Sequence, residues 1–118
     1  MKDTVFELRA SVCAYGSVVG CKEHQGPLGN LFDMHDADDK FGQKTWEQAE
    51  KQMQKMAMDK VIEKAGITRS QVGLVYSGDL LNQCIGSSFT LRNTGIPHLG
   101  LYGACSTMAE SLLTASMA

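Results

Sequence analysis

At 118 residues, 43% apolar and 20% charged, the chain has the length and composition of one domain, or part of one, with a real core. Eleven basic against thirteen acidic residues leave a formal charge of -2, and no Lys/Arg run could track a phosphate backbone, which argues against nucleic acid as a partner. No basic amino-terminal region leads into an apolar stretch, and no segment approaches the roughly 20 apolar residues that span a bilayer, so a cytoplasmic location is expected, with peripheral membrane attachment left open.

Phe6, Leu8, Ala10, Val12 and Ala14 alternate with Glu7, Arg9, Ser11 and Cys13, the period of two of a strand with one buried face, which Gly16 and Gly20 then break. Residues 22–42 are polar and glycine-containing, show no sustained periodicity, and are expected to form a long loop. A helix opens after Thr45, with Gln48 placed to complete a capping box and Glu47 and Glu50 suited to the positive end. Trp46, Ala49, Met53, Met56, Ala57, Val61 and Ala65 recur at helical spacing, and Gly66 is the stop. Residues 72–77 form a short apolar strand ending in Gly78-Asp79, residues 82–93 a helix stopped by Gly95, and residues 96–105 a strand leading to a last helix over 107–118. That alternation predicts an α/β layer of parallel strands joined by right-handed crossovers.

The run His98-Leu99-Gly100-Leu101-Tyr102-Gly103-Ala104-Cys105-Ser106-Thr107 delivers a cysteine from an apolar strand to the mouth of a helix. Backbone N–H groups there have no internal partner and carry the positive end of the helix dipole, so they favour a thiolate and any oxyanion beside it. Ligands in parallel sheets sit at the carboxyl ends of the strands, where both Asp79 and Cys105 fall. The blander readings are a buried structural thiol for Cys105 and a turn or helix-capping carboxylate for Asp79.

Cys13, Cys21 and Cys84 form no metal-binding spacing with Cys105 and no disulfide framework, and are expected to be small buried hydrophobes. Asp33, Asp36, Asp38 and Asp39 fail the calcium-loop pattern, since counting from Asp36 puts Lys40 at an oxygen-ligand position, and a solvated loop is expected with no metal site. His24, His35 and His98 lack partners at hydrogen-bonding spacing and are expected on loops or the surface. Met53, Met56 and Met58 are expected to fill the core and its margin.

The segment Val72-Gly73-Leu74-Val75-Tyr76-Ser77-Gly78-Asp79, the helix around Ser87-Ser88-Phe89 and the approach to Gly103-Ala104-Cys105-Ser106-Thr107 resemble the first half of the thiolase superfamily, which includes the ketoacyl-ACP synthases. Within it, the chain is similar to the stage V sporulation protein AD family at Gly26-Pro27-Leu28-Gly29, Trp46-Glu47, Gly78-Asp79-Leu80-Leu81-Asn82-Gln83 and Gly95-Ile96-Pro97 through Thr107. The similarity runs from about Val18 to the last residue.

The resemblance implies an α/β thiolase-like fold, of which residues 1–118 would be the amino-terminal half of a duplicated βαβαβαββ layered sandwich. It places Cys105 at the nucleophile position, active or vestigial, and implies binding rather than catalysis. The implied ligand is dipicolinic acid, taken up into the developing spore with other SpoVA proteins at the spore inner membrane, and the full-length form is expected to be a homodimer. Asp79, Asn82, Gln83, Cys105 and Ser106 are the implied ligand-binding residues, with no cofactor. An ionised Asp79 repels a dianion unless it is protonated, neutralised by a base from the other half of the protein, or bridged by calcium, and calcium accompanying the ligand is the hypothesis that follows. The alternatives are an acyltransferase or ketoacyl synthase that carries its acyl group on Cys105, and an inert scaffold. The chain stops inside the helix after Cys105 and is expected to be an amino-terminal fragment or shortened product of a longer protein. Alone it would leave open sheet edges and an uncovered apolar face.

Overall fold

The computed structural model describes residues 10–118. The chain is a mixed helix and strand, α/β-like assembly, ordered β1 (Val18–Val19), α1 (Cys21–His24), β2 (Met34–His35), α2 (Trp46–Ala65), β3 (Val75–Ser77), α3 (Ile85–Leu91), β4 (His98–Gly100) and α4 (Thr107–Met117). Both strand pairs are parallel, β1 with β2 and β3 with β4, and they form two separate two-stranded ladders rather than the one layer expected.

The strand expected at the amino end needs correction. Phe6 and Leu8 lie outside the described residues, while Ala10, Val12 and Ala14 belong to no strand. The first described strand sits instead between the two glycines taken as breakers. What fixes it there is a side chain far along the sequence. Asp33 Oδ2 accepts from the Ser17 amide at 3.0 Å and from its hydroxyl at 3.2 Å, and the Asp33 amide donates back to Ser17 Oγ at 3.1 Å.

The loop expected over 22–42 is organised. It contains most of α1, a 3-10 turn at Gly29–Leu31, and β2. Its aspartates build turns and caps: Asp39 Oδ1 accepts from the Cys21 amide at 2.8 Å, Asp36 from the Asp38 amide at 2.8 Å, and Asp38 from the Lys40 amide at 3.2 Å. His24 and His35 stack with ring centroids 3.4 Å apart, so these two histidines partner each other.

α2 follows its sequence signals at both ends. Thr45 Oγ1 accepts from the Gln48 amide at 3.3 Å, and Gly66 ends the helix at φ 65, the left-handed conformation that glycine adopts without steric cost. The reciprocal half of the capping box is absent there among the described residues, and a complete box closes instead around Thr68 and Gln71 in the next turn. Of the expected apolar face, Ala49 is buried and Met53, Met56, Ala57, Val61 and Ala65 are half-buried. Trp46 is exposed, with Lys40 Nζ over its ring at 5.1 Å.

α3 is shorter than expected because residues 79–83 close on themselves. The Asp79 amide donates to the Gln83 carbonyl at 2.6 Å, and Gln83 sits at φ 63. The helix therefore starts at Ile85, and it ends at Leu91 before Asn93 turns left-handed at φ 66.

Among the described residues only Phe41, Ala49 and Leu91 are buried hydrophobics, whereas Met108, Leu112, Leu113 and Met117 of α4 are exposed. The apolar face left exposed thus lies on this helix, whereas the sequence expectation was of an uncovered face of the sheet. All four cysteines are free, with Cys13 exposed and Cys21 and Cys84 half-buried, so none of these three is the fully buried thiol expected. Among the described residues no helix is long and apolar enough to cross a membrane.

Candidate functional site

The β3/β4 ladder and α4 together place Cys105. β3 runs into Gly78, where a β-carbon would stand 1.9 Å from the Leu101 carbonyl oxygen and 2.7 Å from Thr107 Cγ2. Only glycine lets the strand end lie this close to the start of α4. Leu101 continues the ladder by donating its amide to the Ser77 carbonyl at 2.9 Å.

Cys105 occupies the middle of the 3-10 turn Ala104–Ser106 and is exposed. The turn is held by its own polar groups. Thr107 Oγ1 accepts from the Gly103 amide at 3.2 Å and donates to the Ala104 carbonyl at 2.8 Å. The Ser106 hydroxyl sits 2.7 Å from the Gly103 carbonyl and 2.6 Å from Glu110 Oε1. Ala104 is left at φ 51, a conformation that costs a residue with a β-carbon about 1 kcal/mol. The helix mouth is less open than the sequence implies, because the Ser106 amide already donates to Gly103 and the Thr107 amide to Ala104.

Cys105 lines a cleft of about 410 Å³ between α2, β3, α3 and α4, a size typical of small-molecule sites. Ala57, Met58, Leu80, Leu91 and Met108 make it largely apolar, and Gln54, Ser77, Thr90, Thr107 and Ser111 bring polar groups to its wall. Among the described residues, Cys105 is the ionisable side chain that lines it.

The five expected site residues are not gathered in this cleft. Asn82 and Gln83 line a different one, of about 560 Å³, with Cys84, Phe89 and Tyr102. Ser106 is engaged inside its own turn. Asp79 is 3% exposed, with Oδ1 accepting from the Asn82 amide at 3.1 Å and Oδ2 from the Ser87 amide and hydroxyl. In this structure its carboxylate orders the turn before α3, the capping role weighed from the sequence.

Two side chains pair with residues of the cleft wall, Leu80 and Ser77, without sequence warning. Glu50, half-buried on α2, accepts from the Leu80 amide at 3.2 Å. Burial pushes its carboxyl above the ordinary value of 4.5; the Leu80 amide opposes that rise and the neighbouring Asp79 charge adds to it. His98, expected on the surface, is half-buried on β4 with Nε2 3.0 Å from Ser77 Oγ. Neither pair is close in sequence, and only the fold brings its members together.

A family model described as stage V sporulation protein AD (SpoVAD) matches residues 1–118. The chain is also 39% identical over 112 residues to the stage V sporulation protein AD of Bacillus subtilis (strain 168), an alignment covering 95% of this chain and 33% of that relative. The chain thus spans about a third of the length of the curated relative that it matches. With a match over every residue and that level of identity, the chain belongs to the stage V sporulation protein AD family.

Proposed function

We propose that this chain, a sporulation protein by its family, supplies part of a thiolase-like binding domain that holds dipicolinate and supports its uptake into the developing spore. The observation that carries the reading is the exposed Cys105 at the strand-to-helix turn, on the wall of a largely apolar cleft sized for a small molecule. A planar pyridine ring suits the aliphatic walls, and Ser77, Thr107, Ser111 and Gln54 are hydrogen-bonding groups for carboxylate oxygens. Among the described residues the cleft lining has no cationic side chain, and calcium coordinated by the ligand's own oxygens would compensate the two ligand charges. In this reading the domain works as a homodimer at the spore inner membrane alongside other SpoVA proteins.

The exposure of Cys105 also favours a second reading, acyl transfer through a thioester on its sulfur. Among the described residues, no other ionisable group lines the cleft to serve as its base.

Alkylation of Cys105 by iodoacetamide, followed by mass spectrometry with and without dipicolinate and calcium, tests the binding reading. Dipicolinate is expected to slow labelling of Cys105 while leaving the exposed Cys13 unaffected. Transfer of an acyl group from acyl-CoA to Cys105, with no protection by dipicolinate, would overturn it in favour of acyl transfer. Equal protection with and without calcium would remove the metal from the proposal.

A further inference from the structure

Ser77 takes part in two arrangements at once. It lines the Cys105 cleft, and its hydroxyl lies 3.0 Å from His98 Nε2 on the paired strand. We propose that His98 is a positioning residue that decides whether the Ser77 hydroxyl proton is offered to an anion in that cleft. The inference rests on reading the Cys105 cleft as an anion site.

A serine hydroxyl has one proton to donate and lone pairs that accept. Cationic imidazole is a donor at both nitrogens, so Nε2–H donates to Ser77 Oγ and the Ser77 proton is free for another acceptor. Neutral imidazole carries its proton on either nitrogen. When Nε2 is bare it accepts the Ser77 proton, and Oγ is left with lone pairs that repel an anion. Protonation of His98 therefore frees the hydroxyl proton in every molecule, with no heavy atom required to move.

Among the described residues, few charges compete for the imidazole. β4 packs on β3 and α3. Tyr76 is the ionisable residue of β3, and α3 has none between Ile85 and Leu91 but is flanked by Cys84 and Arg92. Asp79, just beyond β3, is committed to Asn82 and Ser87.

The test compares iodoacetate, an anion, with iodoacetamide, its neutral analogue, as alkylating agents for Cys105 in the purified protein. Both react with the thiolate, so the ratio of their rates cancels the thiolate fraction and reports how the cleft receives negative charge. As pH is lowered from 8 to 5.5, the iodoacetate-to-iodoacetamide ratio is expected to rise about two- to tenfold, the worth of one hydrogen bond. Ser77→Thr, which keeps the hydroxyl, retains the rise; Ser77→Ala and His98→Gln flatten it. A flat ratio in the wild type overturns the proposal. A rise in Ser77→Ala as steep as in the wild type does so too, since the field of the imidazolium would then act without the hydroxyl. Dipicolinate plays no part in this readout, so failure to bind it overturns the ligand reading alone, and a flat ratio overturns the role of His98 alone.

Discussion

Asp79 holds Ser87 at two points, its Oδ2 accepting from the Ser87 amide at 3.0 Å and from the Ser87 hydroxyl at 3.2 Å. Both residues are buried, Ser87 completely, so these bonds are made where water cannot replace them. Removing the carboxylate strands two amides and a hydroxyl. Asp79→Ala is expected to cost about 3 kcal/mol in denaturant unfolding. Asp79→Asn, which keeps one accepting oxygen, is expected to cost less, and equal losses for the two would show that the acceptor role is not what matters.

Glu50 gives a pH signature of its own. Its carboxyl titrates above 4.5 in the folded chain, mainly through burial. A carboxyl whose pKa is raised on folding contributes stability that is complete below the unfolded value and lost as pH climbs through the folded one. The denaturation midpoint is expected to fall across that window. Glu50→Gln keeps an oxygen for the Leu80 amide and removes that part of the fall; an unchanged slope in this variant would assign the pH dependence elsewhere.

Asp33 behaves in the opposite sense. The hydrogen bond from Lys64, first, and then that from the Ser17 amide hold its carboxyl below the ordinary 3.8. Its contribution is therefore present above 3.8 and lost as pH falls through the lowered value. Asp33→Asn is expected to lower the midpoint at pH 7 and to blunt the acid limb of the stability profile, measured by circular dichroism against denaturant.

Two glycine-to-alanine substitutions separate crowding from backbone strain. At Gly78 the added methyl meets the Leu101 carbonyl oxygen and Thr107, so Gly78→Ala is expected to cost about 3 kcal/mol and to disturb the Cys105 turn. At Gly66 nothing lies within 4 Å, and only the positive φ is at stake. Gly66→Ala is expected to cost about 1 kcal/mol. Differential denaturation of the two variants, with Cys105 alkylation rates alongside, reads both effects.

Where signals are local, the sequence was a sound guide. Thr45 and Gly66 bound α2 as their cap chemistry requires, and the Cys105 turn opens α4 at Thr107. Where structure depends on distant partners, the sequence was mute. Ser17 gives no sign that Asp33 will hold it in a strand, and the aspartates around Asp38 carry no periodicity because they serve turns. The site followed the same division. The position of Cys105 at the turn before α4 is legible in its sequence context, while Asn82 and Gln83, close to Asp79 in sequence, open onto another cleft because the Asp79–Gln83 turn reverses the chain. Glu50 and His98 were missed because their partners lie 30 and 21 positions away.

α2 touches β1 through one part of its surface and α3 through another. β1 belongs to one ladder and α3 packs on β4 of the other, and the two ladders share no strand. Fraying of this one rod is thus communicated to both ends of the molecule, and slow amide exchange along Trp46–Ala65 would mark the hinge pin on which the cooperativity of unfolding turns.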